Sequence, residues 1–214
     1  YARIKSAMKV LQNNNKVELL IVLTSSALLS RYGDVAKVIR SDGFNINKEI
    51  YSVLEGETLQ NSVQNTGLSL VHLSRVLGEI QPDIIVTIAD RYETIANAIA
   101  ASYMHIPLVH IQGGEITGSI DNKVRSAVTK LSDYHLVASE HAKLQLIAMG
   151  ESNERIFVTG CPSIDLAKNL DFSEANLKKI IHSLGGVGSD VELRKPYIIV
   201  MQHPVTNEAK EAGI

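Results

Sequence analysis

Five polar residues of this chain stand at spacings that suit proton transfer, namely Asp90, Asp121, Arg125, Glu115 and His203. Asp90 follows a continuous apolar run at residues 83–88. A carboxylate there is costly unless it is hydrogen-bonded or takes part in chemistry. The plainer uses are capping of the helix that starts near Thr94 and pairing with Arg91. Asp121 stands at the start of a helical stretch, where the backbone favours a negative charge anyway. Arg125 lies four residues on, on the same helix face, and can hold Asp121 or an anionic ligand. Between Asp90 and Asp121 in sequence, Gln112-Gly113-Gly114-Glu115 is a polar turn. Its glycines let a phosphate or sugar approach the backbone, or simply make the bend. His203 precedes Pro204 after an apolar run and can exchange a proton near neutrality. Two carboxylates in unlike environments can divide the roles of acid and base.

These residues need a frame that brings them together. Apolar runs at 17–23, 83–88, 108–111, 134–138, 155–159 and 196–201 read as strands, with a short edge strand at 46–51. Helical periodicity falls between them, at 2–12, 32–41, 58–80, 120–131, 139–149 and 173–184, with a short crossover helix at 92–103. Ser139 and Ser173 are placed as helix caps, Gly150 as a stop, and Pro162 as a first helical residue. On the long helix, Leu59, Val63, Leu70, Leu73, Val76 and Leu77 form the face toward the sheet. The run at 83–88 barely alternates, which suits a strand covered by helices on both faces. Strand and helix in alternation predict an α/β chain with a Rossmann-like open parallel sheet. Such sheets bind ligands at the carboxyl ends of their strands. Asp90-Arg91, residues 110–115, residues 159–162 and residues 202–204 all follow strands and should share that edge.

Composition narrows the partners. The 214 residues carry 21 basic and 23 acidic side chains, a formal charge of -2, and no basic block. That argues against nucleic acid or an anionic membrane as the main partner. A single cysteine, Cys161, rules out an internal disulfide or a Cys-rich zinc site and fits a reducing cytoplasm. There is no 18-residue apolar run. Neither the nucleotide fingerprint G-x-G-x-x-G nor a Walker sequence occurs. No metal or cofactor is expected. Both ends read as cuts through helices, so the chain is expected to be part of a longer protein. Residues 1–204 form its first domain in this reading, and residues 205–214 begin a linker or second domain.

The phrases Asp90-Arg91-Tyr92-Glu93, the run from His110 through Gly113-Gly114-Glu115 to Asp121, Arg125 to Ser132, Thr159-Gly160-Cys161-Pro162 with Asp165, and Gln202-His203-Pro204-Val205-Thr206 occur in order. In that series the chain resembles the hydrolysing UDP-N-acetylglucosamine 2-epimerases of sialic and related nonulosonic acid synthesis. The resemblance implies two Rossmann-like domains of the glycosyltransferase-B type with the site in the cleft between them. This chain would be the first domain, with its first strand lying before Tyr1. It would be inactive alone and a homo-oligomer, dimer or tetramer, when full length. Asp90 and Asp121 match catalytic carboxylates, His203 matches an active-site histidine, and Arg3 falls near a basic position that approaches phosphate. Gln112 holds a position that is a catalytic Glu in many relatives. The third acidic role then moves to Glu115, or Gln112 only orients the sugar, or the substrate differs. A UDP-linked 4-acetamido-6-deoxy sugar is the obvious alternative to UDP-N-acetylglucosamine. A non-hydrolysing epimerase, a glycosyltransferase of the same fold and a non-catalytic sugar-nucleotide binder remain open beside this reading.

Overall fold

The computed structural model describes residues 1–30, 33–54, 58–88, 91, 93–116, 120–188 and 192–200. Helices and parallel strands alternate along it, as in a Rossmann-like domain. One compact unit runs from Tyr1 to Ile164 and a second from Asp165 to Ile214.

The first unit contains α1 (Lys5–Gln12), β1 (Val22–Thr24), α2 (Val35–Ser41), β2 (Lys48–Ile50), α3 (Leu59–Ile80), β3 (Ile85–Ile88), α4 (Thr94–Tyr103), β4 (Leu108–Ile111), α5 (Ile120–Lys130), β5 (Tyr134–Val137), α6 (Glu140–Ala148) and β6 (Ile156–Val158). β1 and β2 form a two-stranded parallel sheet. β3, β4, β5 and β6 form a second parallel sheet in sequence order. Val22 of β1 and Ile85 of β3 pack into one apolar cluster with Ile50, Leu73, Leu77, Ala96 and Ala100, so α3 and α4 hold the two sheets together. Three buried serines knit the ends of β1 and β2 to α3. Ser52 and Ser69 hydroxyls lie 2.6 Å apart, and Ser25 reaches both.

Local chemistry explains the helix ends. Ser139 accepts from the Ala142 N–H at the start of α6, and Thr58 accepts from the Asn61 N–H at the start of α3. Gly150, at φ +90, stops α6.

Three expectations are corrected. First, among the described residues the helices α4, α5 and α6 pack on one face of the four-stranded sheet. Thr87, His110, His135 and Ile156 are paired in register and all buried. On the opposite face Val86, Tyr134 and Phe157 keep 40%, 43% and 48% of their surface exposed. An apolar run shows that a strand is apolar on both faces, while cover depends on which elements cross it. Second, Leu59 and Val63 are exposed, because α3 begins beyond the sheet and meets its strand ends from Ser69 and its apolar cluster from Leu70 onward. Third, residues 196–200 are not a strand. Tyr197, Ile198, Ile199 and Val200 are exposed there, and no described segment pairs with them. A strand exists only by virtue of a ladder partner.

The second unit, entered through α7 (Pro162–Lys168), holds α8 (Glu174–Ser183). Pro162 is the first residue of α7, and Ser173 caps α8 by accepting from the Asn176 N–H. Glu174 pairs with Lys178 and Arg194, which ties the following loop to this helix.

Candidate active site

The parallel order of β3 to β6 puts their carboxyl ends on one edge. β4 runs out there into Gln112, whose backbone turns to φ +64, the left-handed region. A non-glycine residue seldom adopts it without compensation. Part of that compensation is a hydrogen bond, since the Gln112 N–H donates to the Leu136 carbonyl at 2.9 Å and extends the pairing with β5. The side chain is 4% exposed, and its Nε2 lies 3.0 Å from Cys161 Sγ, just past β6. Its Oε1 is buried with no partner among the described residues. Buried polar atoms are nearly always paired, so an orphan at a strand end points to a ligand or to a role in chemistry.

The two glycines are accounted for by packing. A Cβ on Gly113 would lie 3.0 Å from both His110 Nδ1 and Thr129 Oγ1, which are themselves 3.2 Å apart. Gly114 has φ +81, and a Cβ there would collide with the Ala142 carbonyl oxygen of α6. Both glycines are buried and seat the turn on α5 and α6. Glu115 follows, exposed, while its backbone carbonyl accepts from Arg125 Nη1. Arg125 is only 3% exposed, so α5 carries a buried guanidinium that clasps this turn. Asp121 lies half-buried in the first turn of α5. A cavity of about 190 Å³ opens between the turn, α5 and α6, lined by Glu115, Arg125, Ser126, Gln145 and Met149 among others. Pockets for whole drug-sized ligands are typically about 300–1,000 Å³, so this one suits a single group rather than a sugar nucleotide.

The structure thus gathers Gln112, Gly113, Gly114, Glu115, Asp121 and Arg125 around one turn. Arg3 is exposed in the turn before α1, and no described hydrogen bond links it to the β4–α5 turn. Asp90 and His203 lie outside the described residues.

Two features were not anticipated from sequence. Glu93 is buried at the start of α4, where it pairs with Arg91 at 3.1 Å and accepts from Ser26 Oγ at 3.2 Å. It thereby ties the loop after β1 to the loop after β3. Its signal was an acidic residue just ahead of a helix. The Gln112–Cys161 contact joins residues 49 apart in sequence and left no local signal. Among the described residues no three His, Cys, Asp or Glu side chains group as metal ligands.

The profile of the UDP-N-acetylglucosamine 2-epimerase family matches residues 9–214. A UDP-N,N'-diacetylbacillosamine 2-epimerase (hydrolyzing) of Legionella pneumophila is 32% identical over 214 residues, all of this chain and 55% of that protein. A GDP/UDP-N,N'-diacetylbacillosamine 2-epimerase (hydrolyzing) of Campylobacter jejuni is 31% identical over 202 residues, 94% of this chain and 50% of the relative. Among solved structures, a Neisseria meningitidis UDP-GlcNAc 2-epimerase bound to UDP-GlcNAc superposes with a TM-score of 0.69 at 21% identity. That match covers 86% of this chain and 50% of the other, and it bears on the fold alone. The chain spans about half the length of these relatives.

Proposed function

The chain belongs to the UDP-N-acetylglucosamine 2-epimerase family, and from that premise we propose that it forms the first, Rossmann-like half of a hydrolysing 2-epimerase. The substrate is a UDP-2-acetamido sugar held in the cleft to a second domain of the glycosyltransferase-B type. The hydrolysing outcome is favoured by two relatives described in those words, which match along 100% and 94% of this chain. The observation in the fold that carries the reading is the β4–α5 turn. It sets an orphaned buried amide at the end of β4 close in sequence to a carboxylate and a buried guanidinium on α5, the guanidinium bonded to the turn between them.

The chemistry is metal-free acid and base catalysis. A carboxylate removes the C2 proton as the C1–O bond to UDP breaks, leaving a glycal. Water adds across it, its oxygen to C1, while a proton returns to C2 on the opposite face. The products are UDP and the free 2-epimer. Asp90 and Asp121 are the acid–base pair in this scheme, with Glu115 as the reserve carboxylate. His203 serves as acid or diphosphate partner. Arg125 holds the turn and orients Asp121, Arg3 reaches toward phosphate, and Gln112 places the sugar.

For the substrate itself, a sugar with two N-acetyl groups is favoured by the same two relatives. UDP-N-acetylglucosamine is the second reading, favoured by the family whose profile matches residues 9–214. The test is to incubate the full-length protein with each UDP sugar in D₂O and follow UDP and sugar by NMR. Free 2-epimer with deuterium at C2 is expected. UDP-linked product would replace this reading by a non-hydrolysing epimerase. Unchanged turnover in Asp90→Asn or Asp121→Asn would remove that residue from the pair.

A further inference from the structure

Cys161 and Gln112 meet where β4 and β6 end, and each is unusual in its surroundings. Gln112 is 4% exposed, sits at φ +64 and has one polar end of its amide unpartnered among the described residues. The other end lies 3.0 Å from the Cys161 thiol. Turning the amide over exchanges its ends and still leaves one on sulfur and one unpaired. A thiol is a weak donor and a weak acceptor. It therefore fixes where the amide lies while competing little with a better partner for either end. Cys161 is itself partly exposed, at the edge where parallel sheets bind ligands.

We infer that Cys161 is a positioning residue, whose thiol braces the Gln112 side chain so that its free polar end meets the sugar of the substrate. This rests on the epimerase reading. The sugar group met is neutral, an acetamido amide or a hydroxyl, because an amide offers a hydrogen bond and no charge. Comparing a UDP sugar that carries a 2-acetamido group with UDP-glucose, which has a hydroxyl there, distinguishes the two. Binding of the nucleotide is left to groups elsewhere. Loss of the brace should therefore appear in kcat, through misplacement of the reacting ring, more than in KM.

The experiment measures kcat and KM for full-length wild type, Cys161→Ala, Cys161→Ser, Gln112→Ala and the Cys161→Ala/Gln112→Ala double variant, using whichever UDP sugar wild type turns over. Cys161→Ala should lower kcat about tenfold with KM changed less than about twofold. Cys161→Ser, which keeps a hydrogen-bonding atom, should recover most of the loss. In the Gln112→Ala background, Cys161→Ala should cost nothing further, because the thiol acts through the amide. Wild-type kcat in Cys161→Ala, equal losses in the Ala and Ser variants, or additive losses in the double variant would each overturn the inference. If wild type released neither UDP nor free sugar, the epimerase reading would fall and this inference with it. For the group met, competitive binding of UDP-glucose should be unaffected by Gln112→Ala if the amide meets the acetamido arm, and weakened if it meets a hydroxyl.

Discussion

Gly114→Ala is the sharpest test of how the β4–α5 turn is held. Gly114 has φ +81, and an added Cβ would collide with the Ala142 carbonyl oxygen. The left-handed backbone alone costs a residue with a Cβ about 1–2 kcal/mol. The collision is with helix backbone, which cannot rotate away as a side-chain tip would, and overpacking of this kind costs about 1–3 kcal/mol. Together these give a loss of about 2–5 kcal/mol, a large part of the roughly 5–15 kcal/mol that holds a typical domain. Gly78→Ala is the internal control. Gly78 is inside α3, and a Cβ there meets nothing within 4 Å. The same chemical change should there stabilise by about 0.5–1 kcal/mol, because glycine weakens a helix interior. Urea unfolding followed by circular dichroism reads both. With a slope of about 1–3 kcal/mol per molar, the Gly114→Ala midpoint should fall by about 1 M or more while that of Gly78→Ala rises. A Gly114→Ala midpoint level with wild type would mean that the turn is not seated on α6, and the placement of Gln112 and Glu115 argued from it would fail.

Three further outcomes are expected. Arg125→Met keeps much of the buried stem but loses the donor to the Glu115 carbonyl. It should destabilise by about 1.5–3 kcal/mol in urea titration, and Arg125→Lys should not restore turnover, since an ammonium cannot reproduce the guanidinium fork. Burial lowers the pKa of His135, outweighing the opposing pull of Glu151. The folded protein therefore binds fewer protons than the unfolded chain. This contribution to stability is fully present above the unfolded value of about 6.5 and is lost as pH falls below it. Unfolding titrations from pH 7.5 downward should show that fall, and His135→Gln should flatten it. Gln112→Glu places a carboxyl where exposure is only 4%. Burial should raise its pKa, so the variant should match wild type most closely at acidic pH and lose stability as pH rises. A constant difference between the two proteins from pH 5 to pH 8 would contradict this.

The alternation of strands and helices was legible from sequence because it rests on local terms. Apolar periodicity, Ser139 and Ser173 as caps, Gly150 as stop and Pro162 as first helical residue all act within a few residues, and each stands where the sequence places it. The phrase from Gln112 to Arg125 was equally plain, because a strand end, a turn and a helix start follow one another along the chain. Other features depend on partners far away in sequence. Residues 196–200 look like a strand but have no ladder neighbour among the described residues. Val86, Tyr134 and Phe157 are apolar yet exposed, because the helices between the strands all pack on the other face of that sheet. The glycines that read as room for a ligand are filled by α5 and α6. Cys161 reaches Gln112 only because β5 spaces β4 from β6, and Glu93 meets Ser26 only because α3 and α4 bring the two sheets together. Sequence determines what a residue can do with its near neighbours, whereas burial, strain and an orphaned hydrogen bond arise from the packing of distant elements, and only the folded chain decides them.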